Sequence, residues 1–218
     1  MLCRVTRTLT LGQLEAALAI IHDIASERRS ALQARIKNFL KLGFPAGVAA
    51  GRGKAAAFDA ESVMQMVFAF ELVQCGLPPS TIVSVINANW RSMLPAIIFA
   101  GTPSQHRPSG KGRWPDQKLF FCVAPEAMHD LTGKSDDVDA YKGSVEVLHL
   151  NELQKRLYNS TEVRSVGSFA RSIVLNVPFK VLSTMVILKG VKSEMEYSGL
   201  IEDLTISLHR HHDLHPQA

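Results

Sequence analysis

The chain has 218 residues, 46% of them apolar and 20% charged, which allows one sizeable core or two smaller ones and excludes disorder as the global state. Its most apolar runs, residues 94–100 and 181–188, fall short of the roughly 20 residues a membrane span needs, so no membrane association is expected. The charge is unevenly placed: residues 1–58 hold nine Lys/Arg against three acids, a net of +6, and the whole chain is +4, so residues 59–218 carry −2.

Thr10 predicts the N-cap of a first helix, with Leu11, Leu14, Ala17, Leu18 and Ile21 at helical spacing. A second helix starts near Ser30 and places Leu32, Ile36, Phe39 and Leu40 on one stripe. Gly43 reads as its C-terminal cap, and Pro45 prevents continuation. Residues 46–54 are too glycine-rich for a helix interior and predict a short hairpin, with 55–58 as its return strand. Asp59 caps a third helix, with Ser62 in its first turn and Val63, Met66, Val67, Phe70 and Val73 as its stripe. Gly76, Pro78 and Pro79 end it, and Ser80 opens a fourth helix over 81–90 or a little beyond.

Residues 101–118 hold three prolines and three glycines without an apolar period, and predict a linker or long loop. Beyond it, 119–123, 144–150 and 172–177 read as strands, and 125–131, 152–158 and 178–188 as helices. The expected fold is α+β. A winged helix-turn-helix over 1–92 would be followed by a linker over 93–118, an α+β or α/β-type dimerisation or regulatory domain over 119–208, and a flexible His-rich tail over 209–218.

The order helix, helix, glycine-tipped basic hairpin and two more helices is that of a winged helix-turn-helix. The basic excess at this end points to an anionic partner, nucleic acid first. Four segments carry a resemblance. They are Arg35-Ile-Lys-Asn-Phe-Leu-Lys-Leu-Gly-Phe-Pro45, Gly51-Arg-Gly-Lys-Ala-Ala-Ala-Phe58, Asp59-Ala-Glu-Ser-Val-Met-Gln-Met66 and Leu72-Val-Gln-Cys-Gly-Leu-Pro-Pro-Ser-Thr-Ile82. In that order they resemble the recognition-helix exit, the wing, the third-helix start and the turn into the fourth helix of MerR-type DNA-binding domains, over roughly residues 10–90. About ten additional residues separate Leu11 from Gly43, so either the first helix is extended or the turn lies near Ala25-Ser26.

The resemblance implies a bacterial, cytoplasmic transcription regulator that binds double-stranded DNA as a homodimer, with no cofactor required and with scope for a small-molecule effector. Arg28, Arg29, Ser30, Gln33, Arg35 and Lys37 would lie on or beside the major-groove helix, with Arg52 and Lys54 on the wing. A solvated basic helix face would account for the same cations. No heptad run follows Trp90, so a dimer would be built through the second domain. An excision or DNA-architecture factor of phage type shares this small fold, and an enzyme with its site in the C-terminal half is the third reading.

The remaining candidates point to no chemistry. Cys3, Cys75 and Cys122 are sparse and lack a CxxC pair, which fits a reducing cytoplasm, and no secretory signal is readable before Glu15. Cys122 reads as a small core residue, and Met64, Met66 and Phe68 as core rather than a ligand box. His209, His211, His212 and His215 have metal-capable spacing but sit in a polar tail, so no metal site is expected. Glu126, His129 and Asp130 follow a strand end without a paired nucleophile, and Ser168 and Ser172 lack an elbow motif, so no catalytic residue is assigned.

Overall fold

The computed structural model describes residues 7–48, 55–102, 118–124, 144–159, 172–191 and 197–213. Within them the fold is α+β: seven helices with a two-stranded and a three-stranded sheet, both antiparallel. The chain divides into two units, residues 1–71 with 179–218, and residues 72–178. This partition does not follow the chain order read from the sequence, because the last two helices group with the N-terminal segment.

In the first unit, strand β1 (Leu9–Thr10) runs directly into helix α1 (Leu11–Ile21). Thr10 caps α1 as expected. Its hydroxyl accepts from the Gln13 N–H at 3.3 Å, and its own N–H donates to Gln13 Oε1 at 2.9 Å, which satisfies two otherwise orphaned groups reciprocally. The helix ends at His22, with Asp23 in the left-handed region at φ +50°. The Asp23 and Ile24 amides donate back to the carbonyls of Ile20 and Ala19, a closure in which an aspartate stands where glycine is usual. A 3-10 turn (Ser26–Arg28) then leads into helix α2 (Arg29–Lys41).

Helix α2 buries Leu32, Ile36 and Phe39, the stripe read from the sequence, and packs on α1. Gly43, at φ +73°, closes it. The Gly43 and Phe44 amides donate to the carbonyls of Leu40 and Phe39, and the Phe44 ring meets Phe39 at 5.8 Å, the apolar contact typical of such a closure.

Strand β2 (Ala57–Phe58) corrects the expected hairpin. It pairs antiparallel with β1, Leu9 opposite Phe58, and not with residues 46–48, which form a turn; residues 49–54 lie outside the described residues. Leu9 and Phe58 are fully buried, so a two-residue ladder suffices to bring the start of α1 beside the start of helix α3 (Ala60–Gln74). Asp59 caps α3 by accepting the Ser62 N–H at 2.9 Å. The helix is buried on nearly every side from Ser62 to Phe70, which a single apolar stripe understates. The unit also holds most of α6 (Val177–Gly190) and all of α7 (Tyr197–Asp213). The expected flexible tail is thus helical through Asp213, and residues 214–218 lie outside the described residues.

In the second unit, helix α4 (Pro79–Gly101) corrects two boundaries. It opens with Pro79 in the first turn, where a missing N–H costs nothing, and then runs through Pro95 into the expected linker. An internal proline costs about 3 kcal/mol; burial of Trp90, Met93, Leu94, Ala96 and Ile97 around it offsets that loss. By length and composition alone α4 is long and apolar enough to cross a membrane, and 44% of its apolar window is buried inside the fold.

Helix α4 packs on β3 (Leu119–Ala124) and β4 (Ser144–His149), and Asn89 Oδ1 accepts the Val145 N–H at 3.2 Å. β3 lies between β4 and β5 (Ile173–Asn176), and α5 (Leu150–Asn159) follows β4 directly. The antiparallel order makes this unit α+β rather than α/β. The expected helix over 125–131 lies outside the described residues.

Candidate nucleic-acid interface

Helix α2 contains four basic residues and no acid, although solvated helices ordinarily alternate signs to gain pairs three or four residues apart. Its helical phase sorts them. With Leu32, Ile36 and Phe39 turned into the core, Ser30, Ala34, Lys37 and Lys41 stand on the opposite side, and Arg28 and Arg35, seven residues apart, share one flank. Arg28, Ser30, Gln33, Arg35, Lys37 and Lys41 are exposed. The lysines lie toward the C-terminal end of α2, where the helix dipole favours positive charge.

Arg29 and Gln33 are committed differently. Glu15 on α1 is buried, and it accepts from Arg29 Nε at 2.5 Å and from Gln33 Nε2 at 2.6 Å. Burial pushes the Glu15 carboxyl up, but the bonds from Gln33 and Arg29 and the Arg29 charge outweigh it and hold it below the ordinary carboxylate range. One carboxylate therefore fixes the angle between α1 and α2 by two charge-assisted bonds. These two residues are tied to Glu15 and position the basic helix, while Gln33 and part of the Arg29 side chain remain on its surface.

Of the residues singled out in the sequence, the structure brings Ser30, Arg35 and Lys37 onto the exposed side of α2, places Arg28 at its N-cap, and engages Arg29 and Gln33 with Glu15. Arg52 and Lys54 lie outside the described residues. Sequence reasoning left out Lys41, Asn38 and the alanines Ala31 and Ala34, which share the exposed side of α2. The phase of Leu32, Ile36 and Phe39 was the signal that could have found them. Ala31 and Ala34 leave the outward side low, so a neighbouring surface can approach the helix backbone closely.

The other sequence candidates occupy structural positions. Cys122 is buried on β3 with Leu148 and Leu153, and Met64, Met66 and Phe68 are fully buried. On α7, His211 Nε2 lies 3.0 Å from Glu61 Oε1, the Ser207 hydroxyl also bonds that carboxylate, and His209 Nδ1 faces the Thr205 carbonyl at 2.7 Å. The carboxylate stands between serine and histidine, so the histidine is not placed to take the serine proton. Among the described residues no group of three or more His, Cys, Asp or Glu side chains could hold a metal ion. Glu126, His129, Asp130 and Ser168 lie outside the described residues, and Ser172 is exposed at the start of β5.

Compared with protein-family models, with curated proteins and with solved structures, the chain matches none.

Proposed function

We propose that the N-terminal unit binds double-stranded DNA, as a transcription regulator does, with α2 in the major groove and the segment holding Arg52 and Lys54 on the adjacent backbone or minor groove. The observation that carries this reading is the acid-free, exposed basic side of α2, held at a fixed angle by Glu15. Arg28, Arg35, Lys37 and Lys41 meet phosphates or guanine edges, and the low profile at Ala31 and Ala34 admits the groove floor. A helix of 13 residues is about 20 Å long, enough to lie across a groove about 12 Å wide. Pairing of two copies places two such helices on half-sites about one helical turn apart and multiplies a weak single-domain affinity.

The test is a double variant. Arg35 and Lys37 are exposed and make no ion pair among the described residues, so Arg35→Ala with Lys37→Ala is expected to leave the unfolding transition unchanged. On a DNA site obtained by selection with the wild type, the double variant is expected to bind at least about 30-fold more weakly, from about 1 kcal/mol per lost contact. An unchanged footprint and affinity would remove α2 from the interface.

A further inference from the structure

We propose that His22, Glu71 and Lys180 form an acid-sensitive latch that holds the first turn of α6 against the ends of α1 and α3. Three elements meet there within one unit. His22 is the C-cap residue of α1, with its side chain 3% exposed and its ring 5.8 Å from Phe70. Its Nδ1 lies 3.4 Å from Glu71 Oε1, and Lys180 Nζ stands 2.6 Å from the same oxygen in an ion pair. Its Nε2 is buried without a hydrogen-bond partner among the described residues.

That orphaned nitrogen makes the site sensitive to acid. A neutral imidazole carries a single N–H and leaves its other nitrogen a bare acceptor, which the site tolerates. A protonated ring carries a second N–H with no acceptor in front of it, and a positive charge beside the Lys180 ammonium. The charged groups acting on His22 are Glu71 from α3 and Lys180 from α6. Burial lowers the imidazole pKa, Glu71 raises it, and Lys180 lowers it again, with the balance below the ordinary value of 6.5. An opened site takes up the proton at that ordinary value, so acid favours the open form.

Helix α6 is the element placed to give way. Val181, Met185 and Leu188 are buried, whereas Leu182 and Val186 are exposed among the described residues, so α6 is packed on one side only within them. Once Lys180 leaves Glu71, water reaches both His22 nitrogens.

The test is backbone hydrogen exchange on the full chain, corrected for the intrinsic pH dependence of exchange. In the wild type, protection of residues 180–184 is expected to fall by up to about tenfold for each pH unit below 6.5, the slope of a single linked proton. In His22→Phe, which keeps the ring beside Phe70 and cannot take a proton, protection is expected not to change with pH. Wild-type protection that is constant with pH, or an equal acid loss in His22→Phe, overturns the latch. Should His22→Phe not fold, ring titration of wild-type His22 by NMR decides. A low imidazole pKa tracking the loss of α6 protection supports the latch, and titration at the ordinary value with α6 undisturbed overturns it.

Discussion

Phe39→Ala is expected to lower the unfolding free energy of the N-terminal unit by about 3–5 kcal/mol, the usual cost of emptying a buried phenylalanine site. The ring is 1% exposed and lies where three features converge. It is on the core stripe of α2, it meets Phe44 at 5.8 Å in the closure of that helix, and it meets Phe70 of α3 at 5.7 Å. Truncation removes transfer free energy, leaves a cavity and deletes two tilted aromatic contacts. Phe39→Leu keeps most of the volume and is expected to cost about 1 kcal/mol. Urea unfolding of both variants makes the comparison. A loss below about 1 kcal/mol in Phe39→Ala would mean that α2 is not anchored through this residue.

Glu71→Ala is expected to cost about 3 kcal/mol, the low end for breaking a buried ion pair. The Lys180 side chain is 18% exposed and that of Glu71 12%, so the ammonium left behind is only partly able to recruit water. It would then face the buried His22 ring with no anion between them. The sign of the pair is tested by the double variant Glu71→Leu with Lys180→Met, which removes both charges and keeps apolar volume; it is expected to recover most of the loss. A double variant no more stable than Glu71→Ala would show that packing, not the stranded charge, sets the cost.

The local signals in the sequence proved informative wherever a short-range rule acts. Thr10 and Asp59 cap α1 and α3, Gly43 closes α2, and the stripe Leu32, Ile36, Phe39 is the buried one. Of the two sequence alternatives for the join of α1 and α2, the turn near Ala25-Ser26 is the one found; the sequence left it open because Asp23, not glycine, takes the left-handed position. The β1–β2 pair escaped because two residues cannot show alternation, and the return strand was assigned to a neighbour in sequence when its partners are 47 and 49 positions away. Pro95 misled for the opposite reason: a strong local breaker is overridden by tertiary burial that no local window contains.

The basic residues of the candidate interface were legible as charge, but their roles were not. A hydrogen bond between Glu15 and residues 14 and 18 positions later has no signature in spacing. A carboxylate next to Leu14, on the apolar side of a helix, was the sole hint that a partner had to exist. The same limit applies to His22, Glu71 and Lys180, three residues ordinary in sequence and unusual only in lying together in a half-buried site.

Binding of the wild type to random-sequence duplex DNA, titrated across salt concentration beside Arg52→Ala with Lys54→Ala, tests the central claim most directly. The DNA-binding account predicts that log affinity falls linearly with log salt, with a slope of about −0.9 for each phosphate neutralised, and that the double variant is shallower by about 2. Absence of any salt-sensitive DNA affinity at low salt would contradict it.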